Sequence, residues 1–501
     1  MNRNRPALRM MPTPRLLAGL TLALALAGCT SLAPDYVRPR SPVPTQFQDV
    51  PARTTDDRTA AELDWRAVFI EPRLQQVVAA ALENNRDLRV AVLNIEKARA
   101  QYRIQRADLL PSVQATTSAN ASRTSAASSS SGRSAVGRTV AAEVGFSSWE
   151  LDLFGRIRSL EDQALQTFLA TEQTQRSTRM SLVAEVAGDW LAVNAAQERL
   201  ALARQTLESQ RETLRLTERK HALGVASGVD LSQVRSSVES ARVDVASYTT
   251  ALAQARHALD LVVGAPVDDA LLPASTDTGG PASAIALAPL PAPLPSSVLL
   301  QRPDVLSAEH TLQAANADIG AARAAFFPTL SLTASTGRSS DALSSLFAAG
   351  TRTWSFIPSL SIPIFDAGSL RAELDVSKIE KDIAVADYEH AIQTAFGEVA
   401  DALSARAQID EQLDAQRARV EATGLGYTLA DARYRSGVDS YLEALDAQRS
   451  LYSARQTLIT LRLDEAVNRV TLYKVLGGGA DAQAAGGPNL AATAQGDRAA
   501  R

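Results

Sequence analysis

Few residues of this 501-residue chain have the type and spacing that catalysis or metal binding requires. The histidines are scattered, and none belongs to an HExxH motif or to a pair with metal-ligand spacing. The sequence has neither a GxxxxGKS/T phosphate loop nor a GxSxG nucleophile elbow. We therefore predict that the protein is not an enzyme and uses no metal or cofactor. The four histidines are His221, His257, His310 and His390.

The single cysteine, Cys29, has the surroundings of a lipid attachment site. Four arginines precede an apolar run, residues 16–28, that is too short to span a bilayer as a helix. The run ends in LAGC, which resembles the bacterial lipoprotein signal, in which the cysteine is acylated and the chain is cleaved before it. Thr30 follows instead of an aspartate, and the resemblance then implies sorting to the outer membrane. The alternative is a secretory signal with a chance cysteine.

The net charge and the amino-acid composition argue against nucleic acid as a partner. The net charge is −4, and removal of residues 1–28, which hold four arginines and no acid, would take it to −8. A mildly acidic chain without an evident basic patch is a poor nucleic-acid binder, so we predict no nucleic-acid partner. Hydrophobic residues make up 46% and aromatic residues only 5%, which favours long helices packed through small side chains.

The sequence repeats itself in three blocks. Residues 87–116 and 304–333 share a helix-like stretch, two apolar residues, a proline and an alternating Ser/Thr-rich stretch, at an offset of 217. Residues 224–242 align without gaps with residues 437–455 at an offset of 213. Between these blocks, WELDLFGRIRS corresponds to SIPIFDAGSLRAE. Three blocks in the same order predict an internal duplication.

Proline spacing separates the predicted helices from the predicted strands. No proline occurs from 112 to 265 or from 364 to 487, and a proline inside a helix costs about 3 kcal/mol, so long helices fit in these intervals. We predict helices at about 156–223, 231–263 and 369–435, and a return helix to about 476. Period-two alternation predicts four strands, at 112–118, 139–146, 330–336 and 354–365.

The predicted organisation follows from these elements. Each repeat has the order helix, strand, loop, strand, long helix, turn, helix. Four amphipathic strands cannot close a membrane barrel, which needs at least about eight, so copies of the chain must pool their strands. Two copies would supply eight strands and three copies twelve. We predict a signal peptide at 1–28, a lipidated extended segment at 29–72, repeats at 73–264 and 297–476 separated by a linker at 265–296, and a disordered tail at 477–501.

Several long motifs resemble the TolC-like outer membrane factor family, in its NodT-type efflux lipoprotein branch. They are LAGCTSLAPDYVRP, DWRAVFIEPRLQQVVAAALENNRDLRVA, WELDLFGRIRS, QRPDVLSAEHTLQAANADIGAARAAFFPTLSLT and the segment 432–479. The resemblance implies a mostly α fold with membrane β-strands, in a homotrimer with a twelve-stranded β-barrel. It further implies a long periplasmic α-helical barrel with an equatorial domain. The implied partners are a periplasmic adaptor and an inner-membrane pump of the resistance-nodulation-division type.

The resemblance also points to residues that would close the channel at its periplasmic end. In the family, the helical hairpin after the YRSGV turn carries a ring of acidic and apolar residues, which here corresponds to Leu442, Glu443 and Asp446. Glu443 and Asp446 are three residues apart and so share one helix face. Rings of carboxylates favour cations. The alternative is an ordinary solvated helix face. We expect a supporting role for Arg435, Asp439 and, at the first-repeat position equivalent to Glu443, Asp230.

The two turns between long helices are the predicted contact points for the adaptor. In relatives these tips meet the adaptor, and glycine permits the tight reversal of the chain. A purely structural turn is the alternative. The tip residues are Gly224 and Gly228 in the first repeat, and Ser436, Gly437 and Val438 in the second.

We predict a passive conduit, anchored at Cys29 in the outer membrane and extending into the periplasm, that exports drugs or other small molecules. An exit duct of a type I protein secretion system is an alternative within transport. A lipid-anchored periplasmic coiled-coil scaffold without a pore is an alternative of another class.

Overall fold

The computed structural model describes residues 31–47, 64–130, 132–273 and 295–479. The predictions for the signal peptide, Cys29, most of the linker and nearly all of the tail lie outside the described residues. Within the described ranges, no helix combines the length and the apolarity needed to cross a bilayer.

The element order within each half of the chain agrees with the predicted order. The first half contains α1 (Trp65–Val68), α2 (Pro72–Asn84), α3 (Arg86–Ala107), β1 (Gln114–Thr124), β2 (Ala135–Leu151), α4 (Arg156–Ala222) and α5 (Gly228–Val263). The second half contains α6 (Pro303–Ala324), β3 (Thr329–Ser340), β4 (Arg352–Ser361), α7 (Ser369–Arg435) and α8 (Tyr441–Val475). Short 3-10 turns lie at 126–128, 269–271, 296–301 and 343–345.

The helix lengths reproduce the duplication residue by residue. Helices α3 and α6 both have 22 residues and begin 217 positions apart. Helices α4 and α7 both have 67 residues and begin 213 positions apart, and each is roughly 100 Å long at about 1.5 Å per residue. The fall in offset from 217 to 213 places four extra residues in the strand region of the first half. The predicted domain boundaries themselves stay predictions.

The four strands form one antiparallel sheet in the order β1-β2-β3-β4, so β1 and β4 are its edges. Strands β1, β2 and β3 are longer than the alternation predicts, because backbone pairing continues into Ser/Thr-rich stretches that we predict as loops, whereas β4 is shorter than predicted. Strand β2 takes 17 residues and bends at a bulge between Phe146 and Trp149. The prediction was wrong for 362–365, which lies beyond the end of β4. Pro363 in that stretch has no N–H to donate to a ladder.

The strand register sorts the side chains of the sheet into an apolar and a polar face. On one face, Leu330 lies opposite Leu360, Thr336 opposite Trp354, and Ala334 opposite Phe356. The register with β2 adds Val144, Phe146, Trp149 and Leu151 to this face. The other face carries mainly Ser and Thr, with Glu143 accepting a hydrogen bond from Ser335 Oγ at 3.1 Å. We call the first the apolar face and the second the polar face.

The described residues group into two compact units, and the sheet belongs to the first, Met1–Pro39, Ile95–Thr171 and Ala308–Tyr388. In this unit residues 31–39 form a strap held against α6. The Arg38 guanidinium binds both carboxylate oxygens of Glu309 at 2.7 Å, and Tyr36 Oη donates to the same carboxylate. Burial and the Glu309 charge raise the pKa of Tyr36 to about 12. Gly320 lets the strap approach, since a Cβ there would lie 2.8 Å from Ala33 N.

The second unit, Arg40–Asn94, Glu172–Ser307 and Glu389–Arg501, has its main core where α1 and α2 pack on the long helices. Asn85 joins three elements: its amide donates to Val262 O at 2.7 Å and its oxygen caps α3 through Leu88 N at 2.8 Å. The buried core residues include Trp65, Phe69, Leu74, Val77, Val186, Trp190, Leu259 and Tyr473.

A buried arginine explains the RPD sequence at the start of α6. The Arg302 side chain is 6% exposed and reaches Asp304 at 2.6 Å and Glu398 at 2.7 Å. It also donates to the carbonyl oxygen of Val475, in the last turn of α8. The Arg302 guanidinium group therefore binds two carboxylates and one carbonyl oxygen at the end of α8 that has no hydrogen-bond partner within the helix.

We expect Glu309→Gln to loosen the strap, because a neutral amide cannot accept both Arg38 bonds and the Tyr36 bond with equal strength. A lost charge-assisted bond is worth about 1.5–3 kcal/mol, so trypsin cleavage after the exposed Arg40 should accelerate about tenfold or more. Asp375→Asn, which removes an exposed ion pair with Lys378 on α7, is the matched control and should leave the rate unchanged. Equal cleavage of wild type and Glu309→Gln would show that this pair does not hold the strap.

Candidate functional site

The predicted site residues lie at the two turns between long helices, which have the same backbone geometry. Gly224 has φ 74° and Gly437 has φ 78°, and the two positions are 213 apart. After each glycine the chain closes a Schellman motif: Val225 N bonds to Lys220 O at 2.8 Å, and Val438 N bonds to Arg433 O at 3.0 Å. Most residues other than glycine pay about 1–2 kcal/mol in this left-handed conformation.

The helices that leave the two turns begin differently. In α5, Ser227 and Asp230 form a capping box, in which Asp230 N donates to Ser227 Oγ at 3.0 Å and Ser227 N donates to the Asp230 carboxylate at 3.1 Å. In α8, Ser440 is the N-cap residue but makes no side-chain capping bond, although Glu443 stands at the position equivalent to Asp230. The Asp230 carboxylate therefore stabilises a helix end, whereas the Glu443 carboxylate has no such use.

Two ion pairs flank the second turn. Arg433 binds Asp439 across the turn, with Nη2 2.8 Å from Oδ1, and its guanidinium lowers the pKa of the Asp439 carboxyl. Arg435 instead binds Asp431 in the preceding helical turn, at 2.7 Å. Arg435 and Asp439 thus have separate partners, and the cross-turn link is made by Arg433, which sequence reasoning did not select. Their supporting role stays a prediction.

A buried polar cluster lies beneath the second turn. The hydroxyl groups of Thr217 and Tyr434 are 2.9 Å apart, and Lys220 Nζ lies 4.3 Å from the Tyr434 ring centre. Tyr434 packs edge-on against Tyr441, whose Oη donates to Gln210 Oε1 at 3.1 Å. Burial raises the pKa of Tyr441, which keeps it a neutral donor. Sequence reasoning missed this cluster, although two tyrosines seven apart across the turn in YRSGVDSY were its signal.

The three predicted gate residues share one exposed face of α8. Leu442 is 57% exposed, and Glu443 and Asp446 are also exposed, whereas Ala444 and Leu445 point into the buried cluster. The ion pairs formed between described residues include neither Glu443 nor Asp446. The structure therefore brings together an apolar side chain and two carboxylates that form no direct ion pair within the described chain, although the Glu443 charge contributes to raising the pKa of Arg433. Their role in closing a channel stays a prediction.

The described residues outside the two turns offer few groups for metal binding. Among the residues that the structure describes, no group of three or more His, Cys, Asp or Glu side chains could hold a metal ion. His221, one of the four histidines, donates a hydrogen bond from Nδ1 to Ala226 O at 2.9 Å, and so holds the first turn.

Comparison with known proteins identifies the family. The family model described as "Outer membrane efflux protein" matches residues 77–265 and 294–478. The toluene efflux pump outer membrane protein TtgC of Pseudomonas putida is 50% identical over 471 residues, which cover 93% of this chain and 96% of the relative. The outer membrane protein OprJ of Pseudomonas aeruginosa is 43% identical over 465 residues, with coverage of 93% and 96%.

A solved structure shows the same fold. The MtrE outer membrane channel of Neisseria gonorrhoeae, in its open state, matches with a TM-score of 0.79 and 38% identity, over 90% of this chain and 99% of that chain. The fold class predicted from the sequence and the predicted function as an outer-membrane efflux channel are both confirmed. The chain belongs to the outer membrane efflux protein family.

Proposed function

We propose that three copies of this chain form a passive outer-membrane conduit, which receives its cargo from an inner-membrane pump through a periplasmic adaptor. The strand register is the observation that carries the proposal. It places apolar side chains on one face of the sheet and hydroxyl side chains on the other, and it leaves β1 and β4 as open edges. A barrel closed by joining these edges between copies exposes an apolar band to lipid and encloses a polar lumen.

The length of the helices is the second observation in favour of a conduit. Helices α4 and α7, of 67 residues each, supply the length needed for a tube that extends into the periplasm. The cargo that we propose consists of drugs and other small molecules, because the relatives include outer membrane proteins of efflux pumps named for toluene and for antibiotics. Catalysis is not part of the proposal: the protein acts as a channel.

A lipid anchor at Cys29 is part of the proposal. The strap at residues 31–39 begins two positions after this cysteine and is bound to α6, so an acyl group there would attach to a fixed part of the chain. We expect intact mass measurement of the mature protein to show a chain that starts at Cys29 and carries acyl groups. Cys29→Ser should lose that mass and leave the precursor uncleaved. A cleaved Cys29→Ser protein of unmodified mass would indicate the plain secretory signal instead.

The channel itself is tested by conduction. We expect the purified full chain to migrate as a heat-modifiable trimer and to give stepwise ion currents in planar bilayers. Monomers without conductance would favour the coiled-coil scaffold. If expression with a type I protein transporter and its adaptor restores export of a protein substrate, and expression with a drug pump and its adaptor restores no export of toluene or antibiotics, the type I secretion duct is favoured.

The gate assignment predicts that Glu443→Ala with Asp446→Ala raises single-channel conductance severalfold and lowers the preference for cations, because the change removes six carboxylates from around the axis of a trimer. The matched control is Glu411→Ala with Asp414→Ala, two exposed acids with the same spacing on α7. The assignment is lost if the two double variants conduct alike.

If the two turns contact the adaptor, a bulky side chain at the turn glycines should impair drug export, whereas a small side chain that tolerates the same backbone conformation should not. A Cβ at Gly224 or Gly437 meets nothing within 4 Å, so a large side chain there would project outward. We expect Trp at both positions to lower drug tolerance about tenfold while trimers and conductance persist. Asn at both positions, which tolerates the left-handed conformation, should retain tolerance. Full tolerance in the Trp variant would leave the turns with a structural role only.

A further inference from the structure

On the apolar face of the sheet, arginine side chains replace apolar ones near the loops at 125–134 and 341–351. Thr336 pairs with Trp354, and one step further along the same face Arg338 pairs directly with Arg352. On the other two strands, Arg138 lies two residues beyond Val140 on this face. Arg123, which pairs with Val136, is the diagonal neighbour of Arg138. Four arginines therefore border the apolar band at one end; we call Arg123, Arg138, Arg338 and Arg352 the arginine border.

The positive charge of this border is not neutralised within the described chain. Like charges directly opposite each other in an antiparallel pair are destabilising, yet Arg338 and Arg352 occupy such a pair. The ion pairs between described residues include none of the four arginines. Glu143, the acid nearest in the register, belongs to the polar face and accepts from Ser335.

The four arginines differ in how they are held. Arg338 is half-buried: it donates to Ala348 O at 3.1 Å and to Thr351 Oγ1 at 3.2 Å, and it lies 5.8 Å from the Phe347 ring centre. It therefore shapes the loop between β3 and β4. Arg123, Arg138 and Arg352 are exposed and keep their guanidinium donors for an external acceptor.

We propose that the arginine border binds the phosphate groups of anionic lipids where the barrel leaves the bilayer. Three observations select a lipid over a soluble partner. The arginines continue the same face as the apolar band, they begin one register step after it, and Trp354, at the last apolar step, is a residue typical of membrane interfaces. The planar guanidinium fork matches phosphate oxygens in a bidentate manner.

This inference rests on the proposed function, because only a membrane-inserted sheet presents the apolar face to lipid. It adds a specific consequence: the border fixes the depth of the barrel by a polar contact at the headgroup level, in addition to the apolar band. The loop ends of β1–β2 and β3–β4 each contribute two arginines, so the contact is distributed around the rim.

The test uses the purified full-length trimer and native mass spectrometry with diphosphorylated lipid A as probe. Wild type should retain this lipid about tenfold more strongly than its dephosphorylated form, and Arg123→Gln with Arg138→Gln and Arg352→Gln should abolish the difference. The matched control, Arg89→Gln with Arg99→Gln and Arg103→Gln, removes three exposed arginines from α3 and should bind as wild type does. Arg123→Lys with Arg138→Lys and Arg352→Lys should retain an intermediate preference, because the positive charge persists without the planar guanidinium group.

The outcomes separate this inference from the channel proposal. Equal retention of the two lipids by wild type, or full displacement of lipid A by millimolar inorganic phosphate, would overturn the lipid assignment. Trimer migration and conductance are measured on the same samples. Wild-type protein that conducts but shows no phosphate preference contradicts only the arginine border, whereas wild-type protein that neither trimerises nor conducts contradicts the channel.

Discussion

The open edges of the four-stranded sheet are the constraint on which the proposed assembly depends. Strands β1 and β4 each present a row of backbone N–H and C=O groups on one side. In lipid each unpaired group costs several kcal/mol, so a sheet with this apolar face is stable in a membrane only when its edges are joined to others. The polar face then becomes a lumen as a geometric consequence, because closing the sheet turns one face inward everywhere.

The duplication supplies the same hairpin twice, and a few side chains make the two copies different. Both turns use a glycine with positive φ and the same Schellman bonds. In the first hairpin the acid at the start of the return helix completes a capping box, and in the second hairpin the equivalent acid does not. One copy therefore stabilises its own helix end, while the other presents Glu443 beside Asp446 and Leu442. The two copies therefore differ at this position by one capping interaction.

The contacts that secure the long helices are made by side chains near their ends and along their middle. Arg302 binds two acids and the last turn of α8, and Asn85 links α2, α3 and α5. Arg302 and Asn85 are both buried, and they join elements of the second unit through polar contacts in addition to its apolar core. In the first unit Glu309 holds the strap at residues 31–39 against α6.

The sequence by itself determined the long helices, the duplication and the existence of four strands, because proline exclusion and period-two alternation are local properties. It did not predict α1, which lies within the segment predicted as extended, or α2. It placed α4 and α7 within one residue of their observed ends, and it identified the two glycine turns. Tertiary structure alone decided the strand ends, since cross-strand pairing continued through Ser/Thr stretches that carry no local signal. It also decided that Arg433 rather than Arg435 bonds to Asp439, and that Tyr434 and Tyr441 share a cluster with Thr217. The arginine border, spread over residues 123 to 352, became a single surface only through the register, because strand pairing joins residues that no sequence window contains.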